Sequence, residues 1–444
     1  MKKFILSYFV TIRLYISIGV VIALYTMAFF VPVINWLPRV GLLVIVFIIV
    51  LDTVLLYGLK NPIATTRLVP DKLSNGDANS ITLQLQNKYA IQVFLNIIEE
   101  LPYQFQKRDF NISTTLKPKQ YKEIKYELVP VERGVYDFGS TLLFVTTSLG
   151  LIQRRVALLN NIDVPCYPSF KKLNRYSINA ISNKLTEVGV KQIRKMGNSS
   201  EFEQVKEYVK GDDIRSLNWK ASARKNQLMV NHYTDEKSQQ IYSIINVGRV
   251  MKMPFDNLSL LDHAINASLI LTNVAIGKKD KAGLITFSNK TNNFLPADSK
   301  PIQLNYVLET LYKQDNTFLE SDFEKLYALI RQRINHRSLL VLYTNFETFS
   351  AMERELPYLR KMAAHHLLLV VFFENTEIKK MVQTNTKNVA EVYAKTIAEK
   401  FTFEKKKIVK ELNNNGILTL LTAPKDLTVN AVNRYLELKM RNAI

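Results

Sequence analysis

The stretch QIYSIIN at 240–246 decides the fold of the C-terminal half of the chain. It is an apolar run of strand length, and beyond it strand-like and helix-period segments alternate to the end of the sequence. A helix is expected near 258–276, where Leu258, Leu261, Ile265, Leu269 and Ile276 recur at helical spacing and Gly277 supplies the stop. AGLITFS (282–288) follows as a strand, then helical stretches near 302–313 and 322–335. SLLVLYT (338–344), HLLLVVFF (366–373) and GILTLL (416–421) read as further strands. Helices near 351–363, within 387–413 and near 427–441 separate and follow them. Such alternation predicts a doubly wound α/β domain over 240–444, an open and mostly parallel sheet covered on both faces.

Upstream lies EFEQVKEYVKGDDIRSLNWKASARKNQLMVNHYTDE at 201–236, within a segment and linker bounded at 166–239. Asp212, Asp213, Glu201, Glu207, Asp235 and Glu236 stand among Arg215, Lys220, Arg224 and Lys225. Two readings of these residues are open. Paired carboxylates suit general acid/base hydrolysis, whereas acids and bases interleaved this densely suit a salt-bridged network with Trp219 as its apolar anchor, or a face that docks a partner.

The same stretch resembles the signature of the bacterial family called domain of unknown function 58. The matching positions are Glu201-Phe202, Tyr208, Gly211-Asp212-Asp213, Arg215, Asn218-Trp219, Ala223-Arg224, Leu228 and Glu236. RGVYDFG (133–139), Gly150-Leu151 and YPSF (167–170) also look like the N-terminal half of that family. The resemblance implies a membrane-anchored protein that works beside a MoxR-type AAA+ ATPase and other von Willebrand-type proteins. The ATP chemistry would belong to that partner, since nothing here reads Gly-x-x-x-x-Gly-Lys-Ser/Thr.

The order of elements after 240 resembles a von Willebrand factor A domain, whose Mg²⁺ is held at the carboxyl ends of the strands. The positions that would hold it are Asn246, Gly248 and Val250 in the first loop, Thr317, and Asn345 after the later strand. Amides replace both carboxylates and the loop serines are gone, while a hard dication needs anionic oxygen. Arg249 adds a positive charge at the same place; Thr317 and Ser321 offer hydroxyls, and Asp280 lies in a neighbouring loop. The expectation is a degenerate site with no metal and no other cofactor.

Between 61 and 165 the period changes to two. SITLQLQN (80–87), FLNIIEEL (94–101), YKEIKYELVP (121–130), TLLFVTTS (141–148) and LIQRRVAL (151–158) are separated by turn-prone Asn75-Gly76-Asp77 and Glu132-Arg133-Gly134. A small β-sandwich-like domain without chemistry of its own is expected. Cys166, the lone cysteine, excludes an internal disulfide and reads as a packed small residue.

Residues 1–60 carry two long apolar runs, about 14–34 and 40–57, joined by Asn35-Trp36-Leu37-Pro38-Arg39. Each is long enough to cross a hydrocarbon core of about 30 Å, so a transmembrane helical hairpin is expected. Lys2, Lys3, Arg13, Lys60 and Arg67 flank it against the single Arg39 in its loop, which places both ends, and the rest of the chain, in the cytoplasm of a bacterial inner membrane. Asp52, near the end of the second run, reads as a carboxylate reaching the headgroups. The formal net charge of +20 needs anionic lipid or an acidic partner as its outlet. Nucleic acid is not expected, because bases such as Lys405-Lys406-Lys407 are not interleaved with aromatic side chains. The function that follows is a membrane-anchored scaffold or adaptor rather than an enzyme, with a hydrolase using the 201–236 carboxylates as the alternative.

Overall fold

The computed structural model describes residues 6–158, 161–169, 201–209, 214–234, 238–255, 258–314, 319–383, 388–441 and 443. The chain divides into two compact units, Met1–Tyr167 and Pro168–Ile444.

The first unit contains both apolar helices, α1 (Ile12–Phe30) and α2 (Trp36–Tyr57), each long and apolar enough to span a membrane. At 1.5 Å per residue they measure about 28 and 33 Å. α1 ends before Val31 because the residue preceding Pro32 is pushed out of helical backbone. Pro38, expected in the connecting turn, instead lies in the first turn of α2, where a missing N–H costs nothing.

After them the described residues form ten strands: β2 (Ile63–Leu68), β3 (Leu73–Ser74), β4 (Asn79–Asn87), β5 (Val93–Glu99), β6 (Asn111–Leu116), β7 (Tyr121–Leu128), β8 (Gly134–Phe138), β9 (Thr141–Thr146), β10 (Ile152–Leu158) and β11 (Ile162–Tyr167). An eleventh, β1 (Tyr8–Val10), precedes the first helix and pairs antiparallel with β10, Phe9 opposite Gln153. The sheets run β1-β10-β9-β5-β6, β2-β4-β7 and β3-β11-β8. Leu83 and Leu85 of β4 share a core with Leu95 and Ile97 of β5, Leu143 and Val145 of β9, and Leu14 and Leu56 of the two apolar helices. Cys166 is buried in a second core with Tyr136 and Phe138.

Two charged residues stand elsewhere than expected. Asp52 is fully buried and does not reach toward headgroups. Its Oδ1 accepts from the Thr147 hydroxyl and its Oδ2 from the backbone N–H groups of Leu151 (3.1 Å) and Ile152 (2.9 Å), so it ties α2 to the β9–β10 turn. Arg67 lies inside the β region, paired with buried Glu99 at 3.0 Å and donating to the carbonyls of Phe138 and Gly139.

The second unit is built on β14 (Gln240–Asn246), following a two-stranded piece, β12 (Glu201–Glu207) and β13 (Met229–Thr234), that flanks a short helix α3 (Trp219–Lys225). After β14 come a minimal pair, β15 (Pro254–Phe255) and β16 (Leu258–Ser259), then α4 (Leu260–Gly277), β17 (Lys281–Phe287), β18 (Thr291–Asp298), α5 (Ile302–Tyr312) and α6 (Phe323–Arg333). β19 (Leu339–Tyr343), α7 (Phe349–His365), β20 (Leu367–Phe373), α8 (Thr376–Gln383), α9 (Val389–Asn414), β21 (Leu418–Thr422) and α10 (Leu427–Met440) complete it. The sheet order is β18-β17-β14-β19-β20-β21, parallel throughout except for β18 at the edge. Alternate residues of β14 feed opposite faces. Ile241 and Ile245 pack with α4, α5 and α10, while Tyr242 and Ile244 pack with α6, α7 and α9.

α4 is also apolar enough to cross a membrane by length and composition, yet 72% of it is buried inside the protein, so it is a core helix. Its start is fixed by a capping box, Ser259 Oγ accepting from the Asp262 N–H and Asp262 Oδ2 from the Ser259 N–H. β18 and α8 escaped the sequence reading for one reason: half-exposed TNNFLPAD carries a proline tolerated only at a sheet edge, and α8 has no buried residue. Gly283 is required where it stands, since a Cβ there would fall 2.4 Å from the Tyr242 ring.

Replacing Asp52 by Ala strands two buried N–H donors and a hydroxyl, a cost of about 3–5 kcal/mol. The expected result is a fall of the first unit's unfolding midpoint by about 10 °C in detergent, read by intrinsic fluorescence, with Asp52→Asn intermediate.

Candidate functional site

Ligands of open α/β sheets bind beyond the carboxyl ends of the strands, where the strand order reverses. Here the chain leaves β14 toward β17 on one side and toward β19 on the other, so that point lies between β14 and β19. Asn246 ends β14, and Thr344-Asn345 follow β19.

The geometry shows how the residues expected at the metal positions are bonded. Asn246 is buried, and both lone pairs of its Oδ1 are engaged, by the Gly248 N–H at 2.8 Å and the Ser321 hydroxyl at 2.6 Å. Its Nδ2 donates to Thr344 Oγ1 at 2.9 Å. Gly248 admits this arrangement because a Cβ would lie 2.3 Å from Ser321 Oγ. Val250 packs against the apolar core. Asn345 Oδ1 accepts from the Lys405 ammonium at 2.7 Å, so a protein cation already stands beside it. The donor set does not fit Mg²⁺: the amide oxygens are occupied, and no group of three acidic, histidine or cysteine side chains gathers among the described residues. Thr317 lies outside the described residues.

Two other sequence expectations need correction. Asp280 precedes β17 at the opposite end of the sheet, where it accepts from the Tyr435 hydroxyl, Lys439 Nζ and the Gln239 N–H. It cannot serve the loop at Asn246. Arg249 reaches outward, 59% of its side chain exposed, and stands 3.9 Å from Glu320.

Two depressions share this edge. The polar one, ≈ 220 Å³, is lined by Asn246, Arg249, Ser321, Asn345, Arg354 and Glu355. Burial raises the Glu355 pKa, Asp322 and Glu320 adding to the effect against Arg354. The other, ≈ 330 Å³, has apolar walls that include Phe255, Phe373, Ile378, Phe401 and Leu421, with Lys405 among them. Lys405 also donates to the Phe346 carbonyl at 2.5 Å. Burial lowers its pKa to about 8, and Glu347 partly offsets this. From the sequence, Lys405 stands only as one of a run of bases not interleaved with aromatic side chains. Its place in the inward register of α9 with Ala398, Ile408 and Leu412 was the available sign.

In the signature segment, Asn218 caps α3 through Oδ1 to the Ala221 N–H (2.9 Å) and joins Asn231 through Nδ2 (2.8 Å). The Tyr208 N–H donates to the Leu228 carbonyl (2.8 Å), and Arg224 lies in the last turn of α3. Trp219 is not an anchor: it is 70% exposed. A tryptophan on the first turn of a seven-residue helix with no buried residue has no core to enter. Glu201 is placed by its backbone alone, opposite Thr234. Gly211, Asp212, Asp213, Glu236 and the Arg215 side chain lie outside the described residues, as does most of the proposed charge network.

Residues 204–395 match the family described as "Protein of unknown function DUF58". Over that stretch the chain is similar to proteins of that family. The region includes the signature hairpin and the sheet from β14 to β20. "Uncharacterized protein YeaD" of Bacillus subtilis (strain 168) is 26% identical over 206 residues, covering 45% of this chain and 51% of YeaD. The match thus spans about half of that relative's length. Among solved structures, the SpRpn10 VWA domain is similar at 9% identity and a TM-score of 0.27, covering 43% of this chain and 93% of that domain. The CARDB domain of PF1109 from Pyrococcus furiosus is similar at 14% identity and a TM-score of 0.17, covering 24% and 94%.

Two outcomes are expected from this region. Millimolar Mg²⁺ leaves the unfolding midpoint unchanged, whereas a bound ion would raise it. The lowered Lys405 pKa means that the unfolded chain binds the extra proton between about pH 8 and the ordinary lysine value. Stability contributed at this position therefore rises with pH through that window. Chemical denaturation at pH 7 and pH 9 should show wild type gaining relative to Lys405→Met.

Proposed function

We propose that this chain is a membrane-anchored scaffold whose second unit is a von Willebrand factor A-like platform that works without metal. The observation that carries this reading is the closed loop at Asn246. Both lone pairs of that amide oxygen are engaged, its nitrogen donates to Thr344, and Lys405 takes the oxygen of Asn345. Such an edge holds a fixed shape but offers no ionised ligand set for Lewis-acid chemistry. The β region, whose core takes in Leu14 and Leu56 of the apolar helices, suits a sandwich-like spacer that holds the platform at a membrane.

The partner in this proposal is a MoxR-type AAA+ ATPase, together with other von Willebrand-type proteins, acting on complexes of the bacterial inner membrane. The platform faces the cytoplasm, as the bias of bases flanking the hairpin suggests. The exposed Trp219, with Lys220, Arg224 and Lys225 on the same short helix, favours protein docking at the signature segment.

Affinity purification of the full chain from bacterial membranes in mild detergent should recover an AAA+ ATPase, with recovery changing between ATP and ADP. Failure to recover it with either nucleotide overturns the partnership. A cysteine placed at Lys400 should react with an impermeant maleimide only after the inner membrane is opened; labelling of intact spheroplasts would reverse the orientation.

A further inference from the structure

We propose that the apolar cleft between α8, α9 and the carboxyl ends of β20 and β21 binds a medium-chain fatty acid, its carboxylate paired with Lys405. The walls are Phe255, Phe373, Ile378, Phe401, Leu421 and Pro424, and the volume of ≈ 330 Å³ lies in the small-molecule range of roughly 300–1,000 Å³. Apolar walls of this kind gain from a hydrocarbon chain but give an uncharged polar ligand nothing in exchange for its water.

The charge at the inner end selects the headgroup. Lys405 is a cation held among apolar residues, with the Phe372 ring 5.7 Å from its nitrogen. It donates to two neutral oxygens, Asn345 Oδ1 and the Phe346 carbonyl, which leaves a third N–H. Among the described residues no carboxylate comes within ion-pair distance of it. Glu347 is the acid that acts on it from the loop after β19, and Glu374 at the end of β20 is already paired with Lys379 at 3.2 Å. Lys406 on α9 adds a second positive charge at the cleft wall. A half-buried ammonium lacking a close counter-ion is stabilised by an anion brought in from outside, and a carboxylate can take the remaining N–H.

A linear acyl chain is favoured over a peptide because the exposed wall surface is mostly side-chain hydrocarbon, and β20, whose end forms part of the cleft, is hydrogen-bonded on both sides, to β19 and β21. The proposal does not depend on the ATPase partnership, since its ligand and its readout are separate from that protein.

The test uses the full chain in lipid nanodiscs, dodecanoic acid carrying a mid-chain diazirine as the probe, and mass-spectrometric mapping after illumination. Adducts are expected on Ile378–Lys379 and within Phe401–Lys406, competed by excess dodecanoate but not by dodecanol. Labelling there should fall at least about tenfold in Lys405→Met. It should also fall between pH 7 and pH 9, as Lys405 loses its proton while the probe stays ionised. Ile378→Trp, which fills the cleft from α8 without touching Lys405, should abolish it as well, and keeps the test decisive if Lys405→Met does not fold. Adducts confined to α1 and α2, equal competition by dodecanol, labelling indifferent to both substitutions, or stronger displacement by a short peptide with a free leucine carboxyl terminus would each overturn the proposal.

Discussion

The first unit turns on one buried carboxylate. Asp52 sits within a helix otherwise apolar enough for lipid, and an ionised side chain there is costly unless it is fully hydrogen-bonded. The turn between β9 and β10 supplies that bonding with a hydroxyl and two consecutive backbone N–H groups. Neighbouring contacts reinforce the same joint. Thr11 donates its hydroxyl to the Gly150 and Leu151 carbonyls, Arg154 donates to the carbonyls of Leu56, Leu59 and Lys60, and β1 extends the sheet through β10. The helices and the β region therefore share one core. A loose tether between them is ruled out by this bonding, and force applied to one is carried into the other.

In the second unit the governing constraint is the burial of a parallel sheet on both faces. Strands such as LLVLY and LLLVVFF have no polar side to give to water, so helices must cover each surface. That leaves the strand ends as the places where the fold meets solvent and where polar groups gather. At the amino end, Asp280, Tyr435 and Lys439 close a buried cluster. At the carboxyl end, Asn246, Ser321 and Thr344 do the same with neutral groups. Near that carboxyl end the half-buried Lys405 bonds Asn345 beside an apolar cleft.

Periodicity made most of this architecture legible. Runs of period two over 80–158 and the alternation after 240 correspond to strands and helices whose side chains must segregate by face, a property written locally. Among the elements that escaped, β18 at the sheet edge and α8 bury few apolar side chains, while β1 is too short at three residues to show a period and pairs with the open edge of β10. The absence of carboxylates at Asn246 and Asn345 was equally visible, since it depends on residue type alone. The bonding of those two amides was not.

By itself, then, the sequence determined the two apolar helices, the two kinds of strand pattern, the signature at 201–236 and the absence of acids at Asn246 and Asn345. Each depends on composition and spacing within one segment. The tertiary structure alone decided where isolated polar residues go. Asp52 lies 95 to 100 positions from its partners, Lys405 lies 60 from Asn345, and Trp219 is left exposed although its type favours burial. The reason is physical. A lone charge or ring carries no periodic pattern, and its free energy is set by whichever distant groups the folded chain brings within hydrogen-bonding reach.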